Sequence, residues 1–331
     1  MIDSSAKLAS DEETEFNTYE IDKEIFKNKE FVQNFKNEKD KLKNKFTLLP
    51  GLTEDEIKKK DPKSEYPKYF AKISTQKFDY MGILTNELKR EKYGYSVLEN
   101  KDEYLGEYKN EIRDGFGIYK FNPNEDEEEI YIGDYKDNKK TGQGLYLKIF
   151  KSVKESSSGE IILLDFDCGM GDFKDDTFNN GKLFTVRADN ETLYQVKIND
   201  IGVPSDEDAL IVEGGDKLFM GKLIDGELIE GRNIFVDENW NKKNAYFFTK
   251  TDNVENPFDF DANKKEDKDE EIIKMVKESN VKAYKSQIQN IFKDVCDSLD
   301  KFKKFESAKD VDFENNVKSK IKADVDKIIQ D

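Results

Sequence analysis

The residues that could carry chemistry in this chain form a short inventory. It has no histidine, and its two cysteines, Cys168 and Cys296, lie far apart. One copy therefore cannot assemble a Cys/His zinc site, a His-based triad or a His proton shuttle. The thiols are expected to be reduced. The most suggestive run is Asp165-Phe166-Asp167-Cys168-Gly169-Met170-Gly171-Asp172, whose spaced carboxylates start like a calcium loop. Such a loop needs glycine at its sixth position and glutamate at its twelfth. Here those positions hold Met170 and Asp176, so the run is expected to be a turn between hairpins. Gly115-Phe116-Gly117 and Gly142-Gln143-Gly144 have the look of phosphate loops, but no Gly-Lys-Ser/Thr is present and neither opens a helix. Asn190-Glu191-Thr192 fits a glycosylation acceptor, which matters only in a secreted chain. No catalytic, cofactor or metal residue is nominated, and an enzyme is not expected.

The same glycines belong to a repeat. Tyr104 to Phe121, YLGEYKNEIRDGFGIYKF, is matched position for position by Tyr131 to Leu147, YIGDYKDNKKTGQGLYL, starting 27 residues later. A fixed period in the twenties marks units that stack to bury a core. In each copy an aromatic opens, glycine follows two positions on, and a second aromatic comes at four (Tyr108, Tyr135). Alternation puts Tyr104, Gly106 and Tyr108 on one strand face and Leu105, Glu107 and Lys109 on the other. Lys109 to Asp114 forms the turn, and Gly115 to Phe121 returns. Glycine inside a strand is costly, so its recurrence predicts a close visitor. The expected visitor is an aromatic of the neighbouring hairpin.

Aromatic-x-Gly-Glu/Asp-aromatic followed by Gly-x-Gly resembles the pattern of MORN repeats. Degenerate copies keep its outline at Tyr80-Gly82-Leu84-Asn86, at Gly171-Phe173-Asp175 with Gly181, and at Phe219-Gly221-Leu223-Asp225 with Gly231. Four to five units over residues 79–261, about half the chain, look similar to this family. The resemblance implies a mainly β fold: an elongated antiparallel sheet of hairpins with N- and C-terminal helical segments. Half-pipe arrays of this kind offer aromatics to peptides, which makes Tyr104, Tyr108, Tyr131 and Tyr135 candidate protein-binding residues. The alternative is that they pack the array itself.

The elements around the repeats divide the chain further. Residues 1–21 read as an acidic arm. Asp22 to Phe46 has the periodicity of an amphipathic helix, with Ile25, Val32, Phe35, Leu42 and Phe46 on one stripe. Pro50-Gly51 ends it, Thr53 to Glu56 caps a short helix, and the stretch to residue 78 is a packed linker. Lys151 to Leu164 interrupts the period, with a loop tip at Ser156 to Gly159 and a strand from Ile161; Asn199 to Asp208 is loop-like. Residues 262–331 form a helical hairpin or coiled-coil arm. Its first stripe runs through Val281, Tyr284, Ile288, Ile291, Val295, Phe302 and Phe305, broken at Ser298. Its second helix, from about Asp312, carries Phe313, Val317, Ile321, Val325 and Ile328. Val281, Tyr284, Ile288, Ile291 and Val295 are candidate docking residues for another helix, in the same chain or a partner.

The net charge of −17 lies entirely in the repeats: residues 79–261 carry 23 lysines and arginines against 40 acids, while each flank is balanced at 16 against 16. Such a surface repels phosphate backbones and anionic headgroups, so neither nucleic acid nor membrane is an expected partner. Proteins with basic surfaces or apolar helices are. The start, MIDSSAKLASDEETEF, lacks the apolar core of a signal peptide, which predicts a cytoplasmic protein. With the resemblance, the expectation is a non-catalytic scaffold or adaptor of the cytoskeleton, in a cilium or axoneme, where MORN proteins are frequent. A regulatory module that binds a peptide or sits against a membrane is the alternative.

Overall fold

A computed structural model describes residues 45–48, 69–74, 78–85, 87–121, 127–156, 159–187, 191–199, 202–250, 258–261, 269–279, 281–304 and 313–330. The acidic arm, the helix expected from Asp22 and the short helix after Thr53 lie outside them. Two compact units divide the chain. The first comprises Met1–Tyr119 with Cys296–Ser319, the second Lys120–Val295 with Lys320–Asp331. The segments read from the sequence are cut differently, because each unit combines strands with C-terminal helix.

In the first unit, β1 (Lys45–Leu48), β2 (Tyr69–Ser74), β3 (Phe78–Leu84), β4 (Arg90–Leu98), β5 (Glu103–Lys109) and β6 (Ile112–Lys120) lie side by side in sequence order. Phe46 is thus not a helix residue but a strand partner of Ile73. The expected linker contains strand β2, which pairs with β3 from Tyr69↔Leu84 to Ser74↔Asp79.

The second unit continues the same logic with β7 (Glu127–Lys136), β8 (Lys139–Ser156), β9 (Gly159–Lys174), β10 (Thr177–Val186), β11 (Glu191–Lys197), β12 (Asp206–Glu213), β13 (Lys217–Ile224), β14 (Glu227–Val236), β15 (Lys242–Lys250) and β16 (Phe258–Asp261). Each strand is antiparallel to the next. The strand expected from Ile161 is present as part of β9, and at the expected loop tip residues 157–158 lie outside the described ones; the interruption after Phe150 is paired strand on both sides of that tip. It prolongs β8 and β9 together, in register as far as Ser156↔Gly159. The run Asp165 to Asp172 lies inside β9, so it is strand and not turn; the turn falls at Asp175-Asp176.

Hairpin geometry follows from the turn residues. Asn110 and Glu111 have φ of 50° and 74°, Asp137 and Asn138 51° and 70°, Asp175 and Asp176 49° and 73°. Two successive positive φ values give the turn whose twist matches that of paired strands, and Asn and Asp reach that region most readily of the non-glycine residues. The first turn is therefore the dipeptide Asn110-Glu111, and β6 starts at Ile112, earlier than Gly115.

Three helices complete the fold among the described residues: α1 (Asp269–Ser279), α2 (Val281–Lys303) and α3 (Ser319–Gln330), the last preceded by a π turn at Glu314–Lys318. The charge-dense stretch before Val281, which reads as a polar linker or a helix start, opens helix α1, in which Ile272, Ile273 and Val276 form a buried stripe. Along α2 the buried residues are Ile288, Ile291, Val295, Leu299 and Phe302. Leu299, which in the sequence widens the apolar stripe beside Ser298, is buried with it, and Phe305 lies outside the described residues. Phe313, Val317, Ile321, Val325 and Ile328 are all buried, as their spacing predicts.

Candidate interaction site

Three hairpins repeat one set of contacts around their opening tyrosine. Tyr80, Tyr104 and Tyr131 each lie over two glycines: Gly82 and Gly94, Gly106 and Gly117, Gly133 and Gly144. A Cβ added to Gly117 would sit 2.5 Å from the Tyr104 ring. The visitor is thus the hairpin's own aromatic, not a neighbour's. A tyrosine two residues before its glycine folds back along its own strand, and the hydroxyl then donates to the carbonyl three residues on: Ile83 at 2.8 Å, Glu107 at 2.9 Å, Asp134 at 3.2 Å. Register keeps the vacated space continuous within each unit. Gly82 pairs with Gly94 and Gly94 with Gly106; Gly133 pairs with Gly144, Gly144 with Gly171 and Gly171 with Gly181.

A cation caps each ring. Arg90, Arg113 and Lys140 lie 6.0, 5.7 and 5.2 Å from the centroids of Tyr80, Tyr104 and Tyr131, an attraction between positive charge and the negative ring face. Each precedes the second glycine of its hairpin by four residues, a spacing visible in the sequence and missed there. The second aromatics add edge-on contacts: Tyr104 with Tyr108 at 5.1 Å, Tyr131 with Tyr135 at 5.4 Å, Tyr80 with Tyr108 at 5.8 Å. Burial raises the Tyr80 and Tyr131 phenols well above their ordinary pKa, so they stay neutral donors at physiological pH.

Tyr104, Tyr108, Tyr131 and Tyr135 are consequently buried, at 1, 4, 0 and 3% exposure. They pack the array and present no aromatic wall to solvent. Ile288, Ile291 and Val295 are buried too, so this stripe is already covered within the chain. Val281 and Tyr284 belong to α2, but their side chains lie outside the description. Replacing Ile288 and Ile291 together by Asp is therefore expected to unfold the helical layer, not to release an intact protein. Circular dichroism on the purified variant should show lost helix and a lower midpoint; an unchanged melt would contradict this packing.

The opposite strand face carries carboxylates that hold helix lysines. In the first unit Glu103 meets Lys303 at 2.9 Å, and Glu107 meets Lys318 at 3.1 Å while also accepting the Phe116 N–H at 2.6 Å. Burial works against the Lys318 ammonium, but Glu107 and Glu314 hold its pKa above the ordinary value. Phe302 packs on Tyr95, and Phe313 stacks on Tyr93 at 5.1 Å. In the second unit Lys322 lies 2.9 and 3.0 Å from the two oxygens of Asp134. Glu107 and Asp134 occupy one motif position, directly after the first glycine. The next occupant of that position is Asp172.

Asp172 lies in a shallow cleft of about 300 Å³ at the end of α3, together with Asp206, Asp208, Lys182, Lys197 and Ile329. Among the described residues no cluster of His, Cys, Asp and Glu is arranged to hold a metal, and no helix is long and apolar enough to cross a membrane. Cys168 is buried, and burial pushes its thiol pKa up, which makes it a poor nucleophile. A scan against protein-family models finds no match, and a search of curated proteins finds none.

Proposed function

We propose that this chain is a non-catalytic scaffold or adaptor that holds protein partners in a cytoskeletal assembly. The observation that supports it best is the repeated unit: three successive hairpins spend the same tyrosine, glycine pair and cation on internal closure. In each unit a carboxylate directly after a hairpin's first glycine holds a helix lysine, Glu107 with Lys318 and Asp134 with Lys322, an arrangement that suits an adaptor better than a substrate pocket. The excess of 17 acids over residues 79–261 favours partners with basic surfaces. The resemblance of the motif to MORN repeats favours a cilium or axoneme as the setting, in a radial-spoke-like or microtubule-associated complex.

The test is fractionation of the native cell with proximity labelling from the tagged full chain. The expected result is retention in the detergent-extracted cytoskeleton, release by raised salt, and labelling of cytoskeletal or ciliary proteins. Complete solubility at low salt, with no such proteins labelled, would overturn the reading.

A further inference from the structure

Helix lysines recur on one motif position, and at its third example no lysine is seated among the described residues. Glu107 follows Gly106 and holds Lys318; Asp134 follows Gly133 and holds Lys322. Asp172 follows Gly171 in the same way, opposite Gln143 across β8 and β9. Among the described residues Asp172 accepts from the Gln143 amide and from no lysine. Helix α3 ends at Gln330, and Ile329 lines the cleft in which Asp172 lies. The other cleft carboxylates differ in how far they are engaged. Asp206 accepts the backbone N–H groups of Lys197 at 3.0 Å and Asp208 at 3.1 Å, which leaves its negative charge uncompensated by those bonds. Lys182 and Lys197 line the same cleft, so its charge is mixed and it selects by placement, not by net sign. Met170 and Val196 lie buried beneath the cleft, and Ile329 supplies its accessible apolar surface.

We propose that this cleft receives a lysine from an amphipathic helix of a partner protein, with Asp172 as its acceptor, in the way Asp134 receives Lys322. The proposal rests on the reading of the chain as a protein adaptor and names the chemistry of one partner. The cleft is at the small end of the range for ligand sites, which suits one long side chain and a neighbouring apolar contact. A charged hydrogen bond of ammonium to carboxylate is about twice as strong as a neutral one, and the half-buried Ile329 would meet the apolar stripe beside the lysine.

The probe is a fluorescent peptide copying residues 314–330, which contains both lysines the chain already uses, added to the full protein and read by anisotropy. Binding is expected at low salt, weakened at least tenfold by Asp172→Asn and unchanged by Asp225→Asn. A peptide with Lys318 and Lys322 replaced by Met should bind no better than the Asp172→Asn protein allows. Absence of binding to the parent chain would overturn the proposal. Equal weakening by Asp225→Asn would do so as well, because it would mean diffuse charge attraction; weakening by Asp134→Asn alone would mean exchange with α3. Retention in the cytoskeletal fraction is read independently, so the cleft can fail while the adaptor reading stands.

Discussion

Asp269→Asn is expected to cost about 3–5 kcal/mol, the range for breaking a buried ion pair by removing one partner. Asp269 opens α1 and is 2% exposed. Its two oxygens accept Nε and an Nη of Arg232 on β14, both at 3.0 Å, and Lys242 on β15 approaches to 2.7 Å. The amide would keep the shape and leave the Arg232 guanidinium, itself buried, without its counter-charge. Burial alone would raise the Asp269 pKa, but bonds and charge from Arg232 and Lys242 outweigh it, and the net shift is downward. A carboxyl with a lowered folded pKa stabilises above its unfolded value, about 3.9, and loses that contribution as pH falls through the folded value. The gap between parent and Asp269→Asn in urea should therefore be constant at neutral pH and narrow only in acid below the ordinary Asp range. Replacing both partners, as Arg232→Met with Asp269→Leu, should recover most of the loss, because a buried pair is worth little against apolar packing of like volume.

This pair also shows what could and could not be read from the sequence. The hairpins were legible because their period, glycines and turn residues are local, and local geometry fixes strand, turn and register. The α3 stripe from Phe313 to Ile328 was legible for the same reason. The pairing of Arg232 with Asp269 spans 37 residues, and nothing local marks either as buried; a charged helix start looks solvated until a partner is known. Tyr104 and its relatives could be placed on the glycine face, but not on which glycine: folding back onto the same hairpin depends on a side-chain torsion. Asp172 belongs to the run whose spaced carboxylates only start like a calcium loop. Its equivalence to Glu107 and Asp134 was present in the aligned copies, while the lysines that define the position's use arrive from residues more than 180 positions later.

Tyr104→Ala is the second large loss, expected at about 3–5 kcal/mol as for other buried aromatics truncated to alanine. It empties the space over Gly106 and Gly117, frees the Glu107 carbonyl and removes edge contacts to Tyr108. Tyr104→Phe removes the hydrogen bond alone and should cost about 1 kcal/mol. Gly117→Ala in the parent should also destabilise, by about 1–3 kcal/mol for overpacking. Its φ is not in the left-handed range, so the cost there is one of space and not of backbone strain.

Closure of these three hairpins by their own tyrosines over their own glycines is tested most directly by the double-mutant cycle of Tyr104 and Gly117 in urea unfolding. All three nearest atoms to a Cβ on Gly117 belong to Tyr104, so Gly117→Ala should cost little or nothing once Tyr104→Ala has cleared the space. The account predicts a coupling of about 1 kcal/mol or more, in the range for residues in contact. Additive losses, with Gly117→Ala equally harmful in both backgrounds, would contradict it and return the glycines to some other visitor.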